Sequence, residues 1–205
     1  MGKMDEMILK FDRDVIFEDE ELAFQGLSTD RDVNDRILSN FESFKEVRRG
    51  DAEENPEWKQ PIPYIMIRQG DDIFTYRRLG GSGESRLLDK LSIGVGGHMN
   101  AAKVGPSTWD WNLRTNLLRE LHEELIFQYD TPIEPKLVGL INDDSDPVGE
   151  VHIGVLMIID IPEGHNVYVR ETEVLEGSWV NLYELISESA SINLENWSRL
   201  ALRAL

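Results

Sequence analysis

Three glutamates fall within five residues in the middle of the chain, in the stretch Arg119-Glu120-Leu121-His122-Glu123-Glu124-Leu125. On an α-helix, spacings of three and four place Glu120, Glu123 and Glu124 on one side. Like charges at these spacings destabilise a helix by about 0.2–0.5 kcal/mol per pair. A hard divalent cation such as Mg²⁺, which takes oxygen ligands, would remove that repulsion. Taken alone, the more common explanation is a solvated acidic face partly balanced by Arg119, so both interpretations stay open here.

The helix that carries these glutamates is predicted over residues 110–128, where leucines recur at helical spacing. Short apolar segments separated by turn residues surround it. The predicted strands are 62–68, 73–79, 88–95, 136–141, 151–161 and 166–171, and C-terminal helices are predicted at 183–187 and 194–205. Strands, a central helix, further strands and terminal helices predict an α+β fold class, with a mixed β-sheet packed between helical layers.

The first 58 residues differ in character from the rest of the chain. Residues 7–17 alternate loosely, which predicts one or two strands up to about Gln25, and residues 31–47 have apolar side chains at the spacing of an amphipathic helix. A polar segment at 48–61, rich in turn residues, then marks a boundary. We therefore predict an N-terminal extension over 1–58, which could act as a lid or a dimer arm in a homodimer, and a second domain over 59–205.

The amino-acid composition limits which partners and cellular locations we expect. The 205 residues carry a formal net charge of −18, and there is no cysteine. So acidic a surface repels nucleic acid and anionic membrane lipid, and we expect neither as a partner. The missing cysteines exclude disulfides and thiolate metal sites. No apolar run is long enough to span a bilayer. Lys and Asp interrupt the apolar residues of segment 1–17, so we do not expect it to be a signal peptide, and a cytoplasmic location is expected.

Read together, Gly96-Gly97-His98 and the segment from Arg119 to Phe127 resemble the box of the Nudix hydrolase family, G-x5-E-x7-R-E-U-x-E-E-x-G-U, where U is aliphatic. The R-E-U-x-E-E half matches residue for residue, and the resemblance covers roughly residues 60–205. It implies a Nudix-like sheet between helices. In that family a strand and a glycine loop precede the helix, as is predicted here. This context supports the interpretation of the three glutamates as metal ligands.

The first half of the box departs from the family pattern. That pattern has 13 residues between the first glycine and the arginine, whereas 21 residues separate Gly97 from Arg119. An insertion near 100–106 explains this. Alternatively, Gly105 keeps the family spacing and Trp111 then stands in place of the first glutamate. Ile126 replaces the late glycine that ends the family's helix, so we expect the helix to continue to about Gln128.

The resemblance implies a Mg²⁺- or Mn²⁺-dependent hydrolase that cleaves a diphosphate linkage in a nucleoside diphosphate joined to another group. It assigns Glu120, Glu123 and Glu124 as metal ligands, and the carbonyl of Gly96 could complete the ligand set. Arg119 would hold the glutamates through charge-assisted hydrogen bonds. A small-molecule nucleoside diphosphate derivative is the partner this function requires.

The general base is predicted on the segment before Trp179, since family members often place it there. Glu173 is the chosen residue, with Glu171 and Glu176 as alternatives, and Glu123 of the box could serve instead. Each loop glutamate could equally be solvated.

Basic residues near the box are candidates for substrate binding. His98 follows the glycine loop, although a lone histidine is more often structural. Arg77 and Arg78 are adjacent on a strand, so at most one of them faces a cleft, where it could clamp phosphate. His152 is predicted to be a satisfied core residue. The acidic segment Asp143–Glu150 is predicted to be a solvated turn, because it lacks the twelve-residue loop pattern of a calcium site.

Two further functions compete with hydrolysis. The missing first glutamate and the insertion are compatible with a Nudix-like binding or regulatory module that has lost catalysis. A Nudix-fold isomerase acting on an isoprenoid diphosphate is disfavoured, because the family's isomerases rely on a cysteine.

Overall fold

The structure is a computed structural model that describes residues 2–79, 90–128 and 133–205. Its strands are β1 (Met7–Asp12), β2 (Gly26–Ser28), β3 (Lys45–Arg48), β4 (Trp58–Gln69), β5 (Asp72–Arg78), β6 (Leu91–Ser92), β7 (Gly94–Gly96), β8 (Leu125–Phe127), β9 (Lys136–Asn142), β10 (His152–Asp160), β11 (Val167–Val169) and β12 (Leu175–Asn181). Its helices are α1 (Arg13–Ile16), α2 (Arg31–Asn40), α3 (Arg49–Ala52), α4 (Trp109–Glu124), α5 (Pro147–Glu150), α6 (Leu182–Ser187) and α7 (Asn196–Ala201). The predicted loop at 80–84 lies outside the described residues. The α+β class with a mixed sheet is confirmed.

The N-terminal helix is shorter than predicted. Helix α2 ends at Asn40, a single 3₁₀ turn follows at Phe41–Ser43, and Lys45–Arg48 form strand β3. Residues 45–48 are strand because they pair antiparallel with β1, from Met7 opposite Arg48 to Lys10 opposite Lys45. Tertiary pairing thus overrides the helical periodicity at this point.

The chain divides into two compact units. The first comprises 1–63, 96–118 and 139–156, and the second comprises 64–95, 119–138 and 157–205. Strands β4 and β10 and helix α4 contribute residues to both. The predicted boundary at residue 58 stays a prediction.

An aromatic cluster forms part of the core of the first unit. The rings of Phe11 and Phe41 stack with centroids 4.2 Å apart, and Trp109 packs against both. Edge-to-face and offset ring pairs of this kind add about 0.5–1.5 kcal/mol each beyond area burial. Trp109, which opens α4, is therefore a core residue and fixes the start of that helix.

The acidic segment before α5 is partly buried, so the predicted solvated turn is wrong for two of its residues. The buried Asp143 side chain accepts a hydrogen bond from the Gln25 amide. Asp144 forms ion pairs with Lys59 and Arg13. The reason is tertiary: Asp144 neutralises Lys59, which the first unit buries, and Asp143 satisfies the Gln25 amide, and the segment's own composition reveals neither partner.

The second unit contains the hairpin of β4 and β5, in which Gln69 pairs with Asp72 around a two-residue turn. Gly70 takes a positive φ of 58° in this turn, a conformation that glycine adopts without steric cost. Strand β12 lies along the other edge of β5 over seven residues, from Leu175 opposite Arg78 to Asn181 opposite Asp72. The predicted strand 136–141 is confirmed as β9. The predicted strand 88–95 begins outside the described residues, and its described part contains the two short strands β6 and β7. Among the described residues, no helix combines the length and the apolar character that crossing a bilayer requires.

Candidate functional site

Helix α4 ends at Glu124, four residues earlier than predicted. Residues 125–127 form strand β8, which pairs antiparallel with β11 so that Ile126 lies opposite Tyr168. Ile126 has an extended backbone in this pairing, and no glycine is needed to stop the helix. The Arg170 guanidinium donates from Nε to the carbonyl of His122 at 2.9 Å and from Nη2 to that of Leu125 at 3.3 Å. A cation at this end also complements the helix dipole.

Replacing Arg170 should loosen this helix end. We expect Arg170→Ala to lower the free energy of unfolding by about 1 kcal/mol, because two charge-assisted hydrogen bonds to terminal carbonyls are lost from an exposed side chain. Urea unfolding would measure the change, with the exposed Arg203→Ala as the matched control, expected to stay within about 0.5 kcal/mol. Equal losses in both variants would show that the contact with α4 has no specific role.

The three box glutamates differ in exposure. The Glu120 side chain is 9% exposed, and its Oε1 lies 2.8 Å from Arg119 Nη2. Glu123 is 58% exposed and accepts a hydrogen bond from Arg119 Nη1 at 3.0 Å. One guanidinium thus contacts two of the three carboxylates, and the positioning role of Arg119 stays a prediction.

Glu124 lies on the strand side of the same helix end. Its Oε1 is 3.9 Å from Nη2 of Arg78, whose side chain is largely buried. Arg77 is exposed and pairs with Glu176 across the β5–β12 ladder. The two adjacent arginines therefore point to opposite faces, and Arg78 is the one that approaches the box. Tyr76 is buried and donates to the carbonyl of Gly94, so it is a core residue.

The predicted base residues lie in an exposed segment. Glu171, Thr172 and Glu173 precede β12 in a turn in which the N–H groups of Val174 and Leu175 both donate to the Glu171 carbonyl. Glu173 is exposed, and its role as the base stays a prediction.

Gly96 and His98 belong to the first unit. Gly96 ends β7, where an added Cβ would lie 2.2 Å from the carbonyl oxygen of Pro63, so only glycine fits. His98 is grouped with two residues distant in sequence: its Nε2 lies 3.0 Å from His152 Nε2 and 3.5 Å from Glu53 Oε1. The hydrogen bond from His98, with further help from nearby positive charge, lowers the pKa of Glu53 to about 2. Burial lowers the pKa of His98, although Glu53 opposes that effect.

Sequence reasoning missed Glu53 and assigned His152 to the core. His152 is buried, and its Nδ1 lies 2.5 Å from the carbonyl oxygen of Val148. The only sequence signals were a histidine within an apolar strand and another after a glycine pair. The positions 53, 98 and 152 share no local spacing, so only the tertiary structure brings them together.

The residues thus form two groups with different chemistry. The box places three carboxylates and two guanidiniums at the end of α4, a set suited to a hard cation and a phosphate. The cluster of Glu53, His98 and His152 places two imidazoles and one carboxylate together, a set suited to softer cations.

Comparison with known structures shows which class of protein this is. The chain is similar to Tm1382, a protein proposed to be a Nudix hydrolase, with 26% identity over 97% of both chains and a TM-score of 0.76. It also resembles a MutT Nudix hydrolase from Burkholderia pseudomallei, with 16% identity, a TM-score of 0.52, and coverage of 72% of this chain and 98% of that one. The fold is therefore the Nudix fold.

No family model matches the sequence. Over 200 residues, however, it is 46% identical to Protein YmaB of Bacillus subtilis (strain 168), which covers 97% of each chain. The chain belongs to the family of Protein YmaB.

Proposed function

We propose that this protein is a Mg²⁺- or Mn²⁺-dependent pyrophosphohydrolase that cleaves a diphosphate linkage in a nucleoside diphosphate derivative. The observation that carries the proposal is the arrangement at the end of α4. Glu120 and Glu124 lie four residues apart, on the same side of the helix, and each carboxylate is close to a guanidinium. The Nudix fold supplies the context for this arrangement.

The side chains present fit a hard divalent cation. The three glutamate side chains supply only carboxylate oxygens as ligand atoms, and oxygen ligands are those that Mg²⁺ and Mn²⁺ prefer. The Glu120 side chain is nearly buried and the Glu123 side chain is exposed, so an ion held by these carboxylates would lie at the protein surface. Glu120, Glu123 and Glu124 would hold the ion, and the predicted contribution of the Gly96 carbonyl stays part of the proposal.

Each remaining residue has a distinct role. When bound, the cation would offset the charge of the diphosphate and favour ionisation of the attacking water. Arg119 holds Glu120 and Glu123 in position through its two hydrogen bonds. Arg78, which lies near Glu124, would balance phosphate charge, whereas Arg77 and His98 have weaker support for substrate binding. Glu173 would accept the proton of the water, with Glu171, Glu176 or Glu123 as the alternatives.

The substrate class has support from structural relatives. The Nudix domain of NrtR from Shewanella oneidensis was solved with ADP ribose, and it covers 71% of this chain with a TM-score of 0.51 and 11% identity. A bifunctional NMN adenylyltransferase/ADP ribose pyrophosphatase from Francisella tularensis, with a TM-score of 0.50, was solved with AMP and a manganese ion. Both ligands contain a nucleotide, which favours a nucleoside diphosphate derivative as the substrate here.

A binding module without catalysis is the second candidate. Trp111 occupies the position of the box's first glutamate if Gly105 is the box glycine. Its indole N–H donates to the Val104 carbonyl at 2.7 Å, and its ring packs on Gly105. A side chain used structurally in this way cannot replace a carboxylate.

A panel of nucleoside diphosphate derivatives separates the two candidates. Each compound, ADP ribose included, would be incubated with the protein and Mg²⁺ or Mn²⁺, and phosphate would be measured after a phosphatase step. We expect hydrolysis of at least one compound and complete loss of that hydrolysis with EDTA. Binding of a panel member by calorimetry, without turnover of any of them, would instead establish the binding module.

A further inference from the structure

We propose that Glu53, His98 and His152 form a second metal site, selective for an imidazole-preferring divalent cation such as Zn²⁺ and independent of the box glutamates. All three residues belong to the first unit. Glu53 follows α3, His98 follows the glycine pair after β7, and His152 begins β10. Their ligand atoms all lie within 4.8 Å of one another.

The spacing of these atoms fits a coordination sphere. Histidine and carboxylate ligands lie about 2.0–2.2 Å from a tetrahedral zinc ion, so neighbouring ligand atoms are about 3.3–3.6 Å apart. Here Nε2 of His98 lies 3.0 Å from Nε2 of His152 and 3.5 Å from Oε1 of Glu53. Two of the three separations are therefore within a few tenths of an ångström of those in a coordination sphere, and the third is no longer than 4.8 Å.

The surroundings set His152 in the tautomer that a metal requires. A carbonyl oxygen can only accept a hydrogen bond, so the short contact to Val148 places the proton on Nδ1 of His152. Nε2 of a neutral His152 then carries a lone pair and points at His98. A histidine that binds a metal through one ring nitrogen usually donates the proton of its other ring nitrogen to an oxygen of this kind.

Glu53 is oriented by a contact to the same carboxylate oxygen that lies near His98. The Arg49 guanidinium donates from Nε to Oε1 of Glu53 at 3.1 Å, and the same guanidinium lies 3.8 Å from Glu6. The carboxylate is therefore held toward the histidines rather than free to rotate, and Glu6 offsets the positive charge of Arg49. Three protein ligands leave a fourth tetrahedral position for water, as in open zinc sites.

A buried glutamine beside the cluster supplies an independent observation. The Gln60 N–H donates to the carbonyl of Val151, and the Ile161 N–H donates to that of Arg68, so β4 and β10 run parallel and Gln60 lies beside His152. The Gln60 side chain is 0% exposed, and neither its Nε2 nor its Oε1 has a hydrogen-bond partner among the described residues. Buried side-chain amides rarely lack hydrogen-bond partners, and a bound ion with its water would provide partners for Gln60.

Donor chemistry predicts the selectivity. Imidazole nitrogen suits Zn²⁺, Co²⁺ and Ni²⁺, whereas Mg²⁺ prefers oxygen ligands and keeps its water. The cluster and the box should therefore respond to different cations, and the two proposals can fail separately.

The test uses the full chain without an affinity tag, stripped with EDTA and then exchanged into metal-free buffer. Zn²⁺ would be titrated by calorimetry, and Co²⁺ by the visible absorption that tetrahedral Co²⁺ shows. We expect one ion per chain, no displacement by millimolar Mg²⁺, and unchanged binding in the Glu120→Gln/Glu124→Gln double variant. Binding should weaken by at least about 100-fold in His98→Asn and His152→Asn, and by at least about tenfold in Glu53→Gln.

The chain has four histidines, so His165→Asn is a matched control that should bind like the wild type. Circular dichroism in EDTA would establish that each variant is folded. If a histidine variant does not fold, Glu53→Gln and the wild-type Co²⁺ spectrum still decide the question. Absence of stoichiometric Zn²⁺ binding by the wild type would overturn the proposal, and the histidines would then be a proton-sharing pair. Equal binding in wild type and Glu53→Gln, or loss of binding only in the box variant, would overturn it as well.

Discussion

The Glu120→Gln/Glu124→Gln double variant should lose metal-dependent hydrolysis by a factor of about 10³ or more in kcat/KM. The two substitutions keep the shape of each side chain but remove two negative charges from the end of α4. The cation that offsets the diphosphate charge would then bind weakly, and electrostatic stabilisation of this kind accounts for losses of about 10²–10³ when even one group is removed. The measurement is steady-state hydrolysis of the best substrate in the panel at saturating Mg²⁺.

Two single variants refine this expectation. Glu123→Gln should cost less than Glu120→Gln, because Glu123 is the most exposed of the three and Arg119 remains bonded to Glu120. Glu184→Gln, an exposed position on α6, is the matched control for removing a charge in the same unit and should retain full activity. Thermal unfolding in EDTA would show that the double variant is folded. Activity of the double variant within tenfold of the wild type would refute the assignment of these ligands.

The central helix and most of the strands could be predicted because their signals are local. Leucines at helical spacing predicted α4, and the apolar run 151–161 predicted β10. The end of α4 could not be predicted this way, because it depends on β8 pairing with β11 and on the Arg170 guanidinium. Those contacts join residues 40 or more positions apart in the sequence, and local periodicity contains no information about such pairs.

The same distinction separates the two candidate metal groups. The box glutamates fall on adjacent turns of one helix, so their spacing raises the possibility of a metal site, which the resemblance to the Nudix box then favours. Glu53, His98 and His152 come from three segments, and each residue alone fits a routine structural role. His152 in an apolar strand was therefore assigned to the core, and its burial agrees with that assignment. Its position beside His98 follows only from the fold, since the helical and strand periods describe neighbours within one element.

Asp144→Asn should destabilise the protein by about 3 kcal/mol, because it leaves a buried lysine without its carboxylate. Lys59 is 0% exposed, and its Nζ lies 2.5 Å from Oδ1 of Asp144 and 3.3 Å from the carbonyl of Gly149. Breaking one side of a buried ion pair costs about 3–5 kcal/mol, and the lower value applies because Asp144 is partly exposed. Urea unfolding at neutral pH would measure the loss. Asp146→Asn is the matched control, since asparagine caps α5 about as well as aspartate.

A double variant separates the ion pair from general damage to this segment. Lys59→Met/Asp144→Asn should recover most of the lost stability, because it removes the buried lysine charge that Asp144→Asn alone leaves without a carboxylate and replaces it with an apolar side chain of similar volume. Burial alone would raise the pKa of Asp144, but hydrogen bonds from Arg13 and Lys59 outweigh it and the pKa is lowered in the folded state. The stabilisation by Asp144 is therefore present above the unfolded pKa of about 3.9 and is lost as pH falls through the lower folded value. The stability difference between wild type and Asp144→Asn should accordingly be constant from pH 7 to pH 5 and shrink below pH 4. A difference that persists unchanged at low pH would show that Asp144 acts through packing rather than through its charge.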